Sequence, residues 1–239
     1  MAKILGIDAA GKGLSLAVAE GDKLLASACL NVGLTHSQRL LPQLAAMLDA
    51  AALTMQDIDL IAVTNGPGSF TGLRIGLATA KGLAEGRGIK LLPVSTLEAE
   101  AYAVRGMGAY ICPVLDARRN EVYTALYTPE GAEIWLPAAL SPQALAEKLR
   151  EFLSGNSPHQ VIFVGDAADL YIAQMRQELP GAVLIAPPER RLFGALGCAF
   201  LAGKRQEDAL PPERAEAFYL RLSEAERNRN AKLAAEADK

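Results

Sequence analysis

Two consecutive stretches of this chain carry the same order of hydrophobic patterns, and that repetition limits the folds open to it more than any single motif. In the first, Lys3-Ile-Leu-Gly-Ile-Asp8, Leu14-Ser-Leu-Ala-Val-Ala19 and Lys23-Leu-Leu-Ala-Ser-Ala-Cys-Leu30 read as three strands with tight turns at Gly11–Gly13 and Gly21-Asp22. A helix is predicted from about His36 to Ala52, where Leu40, Leu41, Leu44, Met47, Leu48 and Ala51 make an apolar stripe of helical period. Thr54-Met-Gln-Asp57 predicts a capped short turn of helix. A buried strand at Leu60–Thr64, a glycine turn, a helix over Leu73–Ala84 and a strand at Lys90–Val94 complete the unit.

The second stretch repeats that order with almost no shared residues. Tyr110–Asp116, Glu121–Tyr127 and Glu133–Trp135 are its three strands. Ser141-Pro-Gln-Ala-Leu-Ala-Glu-Lys-Leu149 is a helix with Ser as N-cap and Pro at the first helical position. A strand at Gln160–Val164, a turn at Gly165, a helical stretch, a strand at Ala182–Ile185 and an apolar helix from Arg191 to about Gly203 follow. Ile7-Asp-Ala-Ala10 and Leu115-Asp-Ala-Arg118 fall at the same place in each, the end of the first strand. The expected organisation is an N-terminal half over 1–102, a C-terminal half over 103–218 and a charged tail over 219–239 that reads as a solvated helix or frayed end.

The segment Asn65-Gly-Pro-Gly-Ser-Phe-Thr-Gly-Leu-Arg-Ile-Gly76 joins a strand to a helix through glycines. Such a turn aims backbone N–H groups and a helix dipole at one spot, which suits an anion such as phosphate. It is not a dinucleotide fingerprint, because the glycine spacing is wrong and no acidic partner follows about 20 residues on. Gly6-Ile-Asp-Ala-Ala-Gly-Lys-Gly13 nearly matches a phosphate-binding loop but ends in Gly13 instead of a hydroxyl, and a strand follows. Asp8, Gly11, Gly66 and Gly68 remain candidates for contact with nucleotide phosphates; the glycines serve equally well as plain turn builders. Along the next helix Gly72, Gly76 and Ala80 recur every four residues beside Leu73, giving a face with almost no bulk. That face suits packing inside the subunit and close contact with a second chain equally well.

Composition and scarce residues exclude several chemistries. With 239 residues, 51% hydrophobic and 21% charged, the chain has the profile of a globular protein with a real core. A net charge of −3 argues against a stand-alone nucleic-acid binder. Only His36 and His159 are present, with neither H-x-x-x-H nor H-E-x-x-H, so a helical zinc site and a histidine-based nucleophile relay lack support. No catalytic residue and no metal ligand is nominated. Cys29, Cys112 and Cys198 lie apart in apolar surroundings and are expected to be reduced thiols of a cytoplasmic protein. No secretory signal and no membrane-spanning run is expected.

The ordered set Ile7-Asp-Ala-Ala10, His36-Ser-Gln-Arg-Leu-Leu-Pro42, Gly66–Gly76 and Ala78-Thr-Ala-Lys-Gly-Leu-Ala84, closed by Ala217-Phe-Tyr-Leu-Arg221, resembles the TsaB (YeaZ) family. The resemblance implies an actin/Hsp70-like, ribonuclease H-like α/β fold of two duplicated mixed-sheet halves. It implies a non-catalytic subunit needed for N6-threonylcarbamoyladenosine at position 37 of tRNAs reading ANN codons. Its implied partners are the catalytic subunit TsaD and the ATPase TsaE, with tRNA engaged indirectly and a homodimer when the chain is alone. It implies no cofactor of the chain's own, and ATP or ADP at the interface with the partner.

In the catalytic relative a V-N-H-L-E-G-H segment supplies two metal-binding histidines, and the corresponding stretch here is Val94-Ser-Thr-Leu-Glu-Ala-Glu100. Thr96 and Glu100 stand at the two histidine positions, and a hydroxyl with a carboxylate does not reproduce an imidazole pair. The same substitution speaks against a metalloprotease. By the resemblance, the two helices near His36–Ala52 and Thr71–Ala84 would meet the partner through His36, Leu40, Leu44, Met47, Leu48, Gly72, Leu73, Gly76 and Ala80. The alternative is an independent actin-like small-molecule kinase or weak nucleotidase using Asp8 and the two glycine turns.

Overall fold

A computed structural model describes residues 1–33 and 35–221; of the expected tail over 219–239, residues 222–239 lie outside these, and residues 219–221 are non-helical and line the cleft described below. Five strands, β1 (Lys3–Asp8), β2 (Leu14–Glu20), β3 (Lys23–Leu30), β4 (Leu60–Gly66) and β5 (Lys90–Ser95), form one sheet in the order β3-β2-β1-β4-β5. The hairpins β1-β2 and β2-β3 are antiparallel, while β4 joins β1 and β5 joins β4 in parallel. A second sheet holds β6 (Tyr110–Asp116), β7 (Val122–Tyr127), β8 (Glu133–Leu140), β9 (Val161–Val164) and β10 (Val183–Ile185). Its order, β8-β7-β6-β9-β10, matches the first strand for strand. The duplicated mixed-sheet architecture expected from the patterns is therefore present. Strands β1, β4 and β9 read as nearly unbroken apolar runs because each is covered on both faces.

Helices α1 (His36–Ala50) and α2 (Phe70–Ala84) cover the outer face of the first sheet, and α4 (Pro142–Ser154) and α5 (Ala168–Glu178) that of the second. Between the sheets lie α3 (Thr96–Tyr102) and α6 (Gly194–Gly203). The two helices are exchanged between the halves. Leu97 and Ala101 of α3 pack on Ile111, Leu115 and Ala125 of the second sheet, whereas Cys198, Ala199 and Ala202 of α6 pack with Ile4, Leu60 and Ala62 of the first. A middle layer needs short side chains. A Cβ at Gly197 would strike the Ala99 carbonyl, and one at Gly6 would strike that of Ala195, so the α3–α6 and β1–α6 crossings are as close as backbone allows.

Several boundaries differ from expectation. The chain from Gly194 onward returns to the first half: α6 lies on its sheet, Leu210 bridges to Leu91, and Ala215 joins its core. The C-terminal half is thus not the unbroken span 103–218, because covering the inner face of the first sheet requires this crossover. Helix α3 escapes a periodicity reading because it is a single short amphiphile-free turn pair buried on nearly every side. Strand β8 runs on to Leu140, and α2 starts at Phe70, where the Ser69 hydroxyl accepts the Gly72 N–H. The Thr54–Asp57 cap is present, with the Asp57 carboxylate accepting from Thr54 N–H at 2.8 Å.

Candidate functional site: the cleft between the halves

A cleft of 480 Å³ opens where the two halves face each other. The first half contributes the β1–β2 turn at Ala10–Lys12 and the glycine turn at Pro67–Thr71; the second contributes the loop from Asp116 to Arg119 and Asp166. Asp166 fastens the floor. Its Oδ2 accepts the Lys12 N–H at 2.9 Å and its Oδ1 the Asp116 N–H at 3.0 Å, while Lys12 Nζ stands 3.8 Å from Asp116 Oδ2. One carboxylate thereby spans both halves through charge-assisted bonds. Arg118, Arg119 and Asn120 follow each other at φ of 62, 55 and 58°, a left-handed run that turns the loop sharply at the cleft rim.

Three amides of the glycine turn are engaged within the chain. Ser69 N–H donates to the Ala10 carbonyl at 2.6 Å, Gly72 N–H to Ser69 Oγ at 3.3 Å, and Gly66 N–H to Thr96 Oγ1 at 3.2 Å. A Cβ at Gly68 or Gly72 would collide with the Ala10 or Ala9 carbonyl. The glycines let the turn lie against the backbone of the β1–β2 turn, and these three amides already have acceptors. Of the four phosphate candidates, Gly11 and Gly68 line the cleft, whereas Gly66 and Asp8 lie behind its wall.

Asp8 is 4% exposed. Its Oδ1 accepts from Thr64 Oγ1 at 2.7 Å and from Ala10 N–H at 3.0 Å. Its other oxygen faces the start of α6 at Gly194, where any Cβ would run into the carboxylate. A buried acid at a helix N-terminus is a structural arrangement, held by the positive end of the dipole. Burial nonetheless pushes its pKa up, outweighing those two hydrogen bonds. Thr96 and Glu100 are buried too, and Glu100 Oε2 has no hydrogen-bond partner among the described residues. Burial first, then the charges of Asp8 and Asp166, raises the Glu100 pKa well above the usual carboxylate range. Among the described residues no three His, Cys, Asp or Glu side chains converge as a metal site would require.

The expected partner-facing residues lie inside this chain instead. Leu40, Leu44, Met47 and Leu48 form the face of α1 that packs on the first sheet, and Gly72, Leu73, Gly76 and Ala80 the corresponding face of α2. Gly76 rests 3.5 Å from the Ala9 Cβ and 3.7 Å from Val63 Cγ2. The small face therefore brings α2 onto its own sheet. His36 is half-buried, with Nε2 2.9 Å from the Gly11 carbonyl, and ties α1 to the β1–β2 turn. Sequence periodicity finds the apolar stripe but not which body it meets. The exposed residues of the two helices include an uncharged patch of Leu41, Pro42, Ala45 and Ala46 on α1 and Ala78 and Gly82 on α2, flanked by the exposed charges of Arg39, Asp49 and Arg74. Between them a shallow 430 Å³ groove is lined mainly by Leu41, Ala45, Leu53, Met55 and Leu83, with Asp49 as its one charged member.

Residues following α6 supply a further wall of the cleft. Residues Phe218 to Arg221 line it, held to the first half by Phe218 N–H donating to the Asn65 carbonyl at 2.7 Å. Tyr219 packs on Phe70 with ring centroids 4.9 Å apart. The sequence signal was present in Ala217–Arg221, but only as a closing motif without a place in space.

Comparison with known proteins places this geometry. A family model described as TsaD, tRNA N6-adenosine threonylcarbamoyltransferase, matches residues 31–179. The tRNA threonylcarbamoyladenosine biosynthesis protein TsaB of Bacillus subtilis is 33% identical over 227 residues, covering 93% of this chain and 96% of that one. Among solved structures, YeaZ from Pseudomonas aeruginosa superposes with a TM-score of 0.72 at 27% identity, over 92% of this chain and 100% of that chain. The Acidaminococcus fermentans (R)-2-hydroxyglutaryl-CoA dehydratase component A, at 13% identity and a TM-score of 0.56 over 87% of this chain and 100% of that one, shares the actin-like fold alone.

Proposed function

The chain belongs to the TsaB (YeaZ) family, and on that premise we propose that it is the accessory subunit supporting threonylcarbamoylation of adenosine 37 in tRNAs that read ANN codons. The observation that carries this reading is the match to TsaB along nearly the whole of both chains. The catalytic step belongs to TsaD in this reading. Thr96 and Glu100, which occupy the positions of the relative's metal-binding pair, are both buried, and Thr96 Oγ1 is engaged by the Gly66 N–H. A site so enclosed gives substrate no approach.

The subunit works by docking on TsaD through the outward face of α1 and α2, and TsaE joins the pair. The uncharged run of Leu41, Pro42, Ala45, Ala46, Ala78 and Gly82 supports a helix-on-helix contact there. The family model named for TsaD matches residues 31–179 of this chain, so both partners carry related helices that can pair face to face. The same face accounts for a homodimer when TsaD is absent. ATP or ADP is placed at the partner interface, tRNA is engaged through the complex, and the setting is the cytoplasm. Among the described residues no helix is long and apolar enough to cross a membrane.

Depletion of the protein followed by mass spectrometry of nucleosides from bulk tRNA tests the role. Loss of the threonylcarbamoyl nucleoside is expected, and unchanged levels would refute it. Docking is tested separately by Leu41→Arg, which should abolish co-purification with TsaD while the melting temperature stays put, because Leu41 is 52% exposed.

A further inference from the structure

We infer that residues 216–221 are a latch that keeps the two halves closed over the cleft, with Arg221 as its bolt. This rests on contacts within the chain and stands or falls independently of the tRNA role. The segment is anchored on the first half at both backbone and side chain. Asn65 Nδ2 donates to the Glu216 carbonyl at 3.3 Å, and Phe218 N–H returns the bond to the Asn65 carbonyl at 2.7 Å. Gly66 makes this approach possible, since a Cβ there would collide with the Phe218 carbonyl oxygen. Farther on, Tyr219 sits against Phe70, Arg74 lies 3.7 Å above the Phe70 ring, and Arg74 Nε stands 3.4 Å from Tyr219 Oη.

Arg221 then leaves the first half and pairs with Glu121, the residue just before β7 in the second. Both side chains are about three-quarters withdrawn from solvent, at 27% and 28% exposed, so their attraction is only partly screened. The strap thus bridges the same gap as the bond from Lys12 to Asp166 on the cleft floor. Phe218, Tyr219, Leu220 and Arg221 all line the cleft, so closing the halves and filling the cleft mouth are one event. A ligand entering beside Lys12 and Ser69 meets this segment first and gains access when the bolt is drawn.

Amide hydrogen exchange on the full chain reads both ends of the device. The Phe218 amide reports docking of the strap, the Lys12 amide reports contact between halves, and the Ala62 amide in the middle of β4 controls for global unfolding. Arg221→Glu and Glu121→Arg each place like charges together and should speed exchange at Phe218 and Lys12 by about tenfold, leaving Ala62 unchanged. The double variant carrying both substitutions restores an opposite pair and should return both rates toward the parent. Faster exchange at Phe218 with Lys12 unmoved would show a surface strap that does not hold the halves, and would overturn the inference. Unchanged rates in the single variants, or failure of the double variant to recover, would overturn it as well.

Discussion

Asp166 Oδ2 receives the backbone N–H of Lys12 at 2.9 Å, a bond that ties the first turn of one half to the loop after β9 of the other. Asp166 plays a part that no single-half view would assign it. Replacing it with Ala removes acceptors for the amides of both Lys12 and Asp116. A loss of about 2 kcal/mol is expected in urea unfolding, with Asp166→Asn costing about half as much because one oxygen remains.

Glycines along α2 should separate by what lies opposite them. Gly72→Ala drives a methyl into the Ala9 carbonyl and should cost about 2–4 kcal/mol. Gly76→Ala meets only ordinary contacts at 3.5 and 3.7 Å and should change stability by less than about 1 kcal/mol. Gly82 faces open space, so Gly82→Ala should stabilise by about 0.5–1 kcal/mol through helix propensity alone. Thermal melts of the three variants give the ranking directly.

Glu100 makes stability depend on pH in a stated direction. Its folded pKa is raised well above 4.5, chiefly by burial, so the folded chain keeps a proton that the unfolded chain releases. That contribution is complete below the ordinary carboxyl value and is lost as pH climbs through the folded value. Glu100→Gln cannot titrate. Its stability relative to the parent should therefore grow as urea midpoints are taken from about pH 4 to about pH 8, and a constant difference would contradict the assignment.

Leu41 and Leu44 are three residues apart and should behave oppositely. Leu44 is 3% exposed in the core, so Leu44→Ala should cost about 2–4 kcal/mol whether or not a partner is present. Leu41→Ala should leave the isolated chain within about 0.5 kcal/mol of the parent. Its effect belongs in a titration with TsaD, where weaker binding is expected from lost apolar contact.

The repeated order of strands and helices, the Thr54–Asp57 and Ser141 caps and the apolar stripe of α1 were all legible in the sequence. They are local: each depends on residues within a turn or two of one another, and periodicity records them. The short α3 was not legible, because seven residues buried everywhere but at Glu98 give no stripe long enough to set a period. Tertiary structure alone decided where each apolar face went. Leu44 and Gly76 could have met another chain as well as the first sheet, and only the position of that sheet turned them inward. It also decided that the amides of Ser69, Gly72 and Gly66 go to Ala10, Ser69 and Thr96, that Asp8 lies against the start of α6, and that residues 216–221 return across the cleft. These contacts join residues far apart along the chain, whose meeting depends on the packing of whole layers rather than on any pattern within one element.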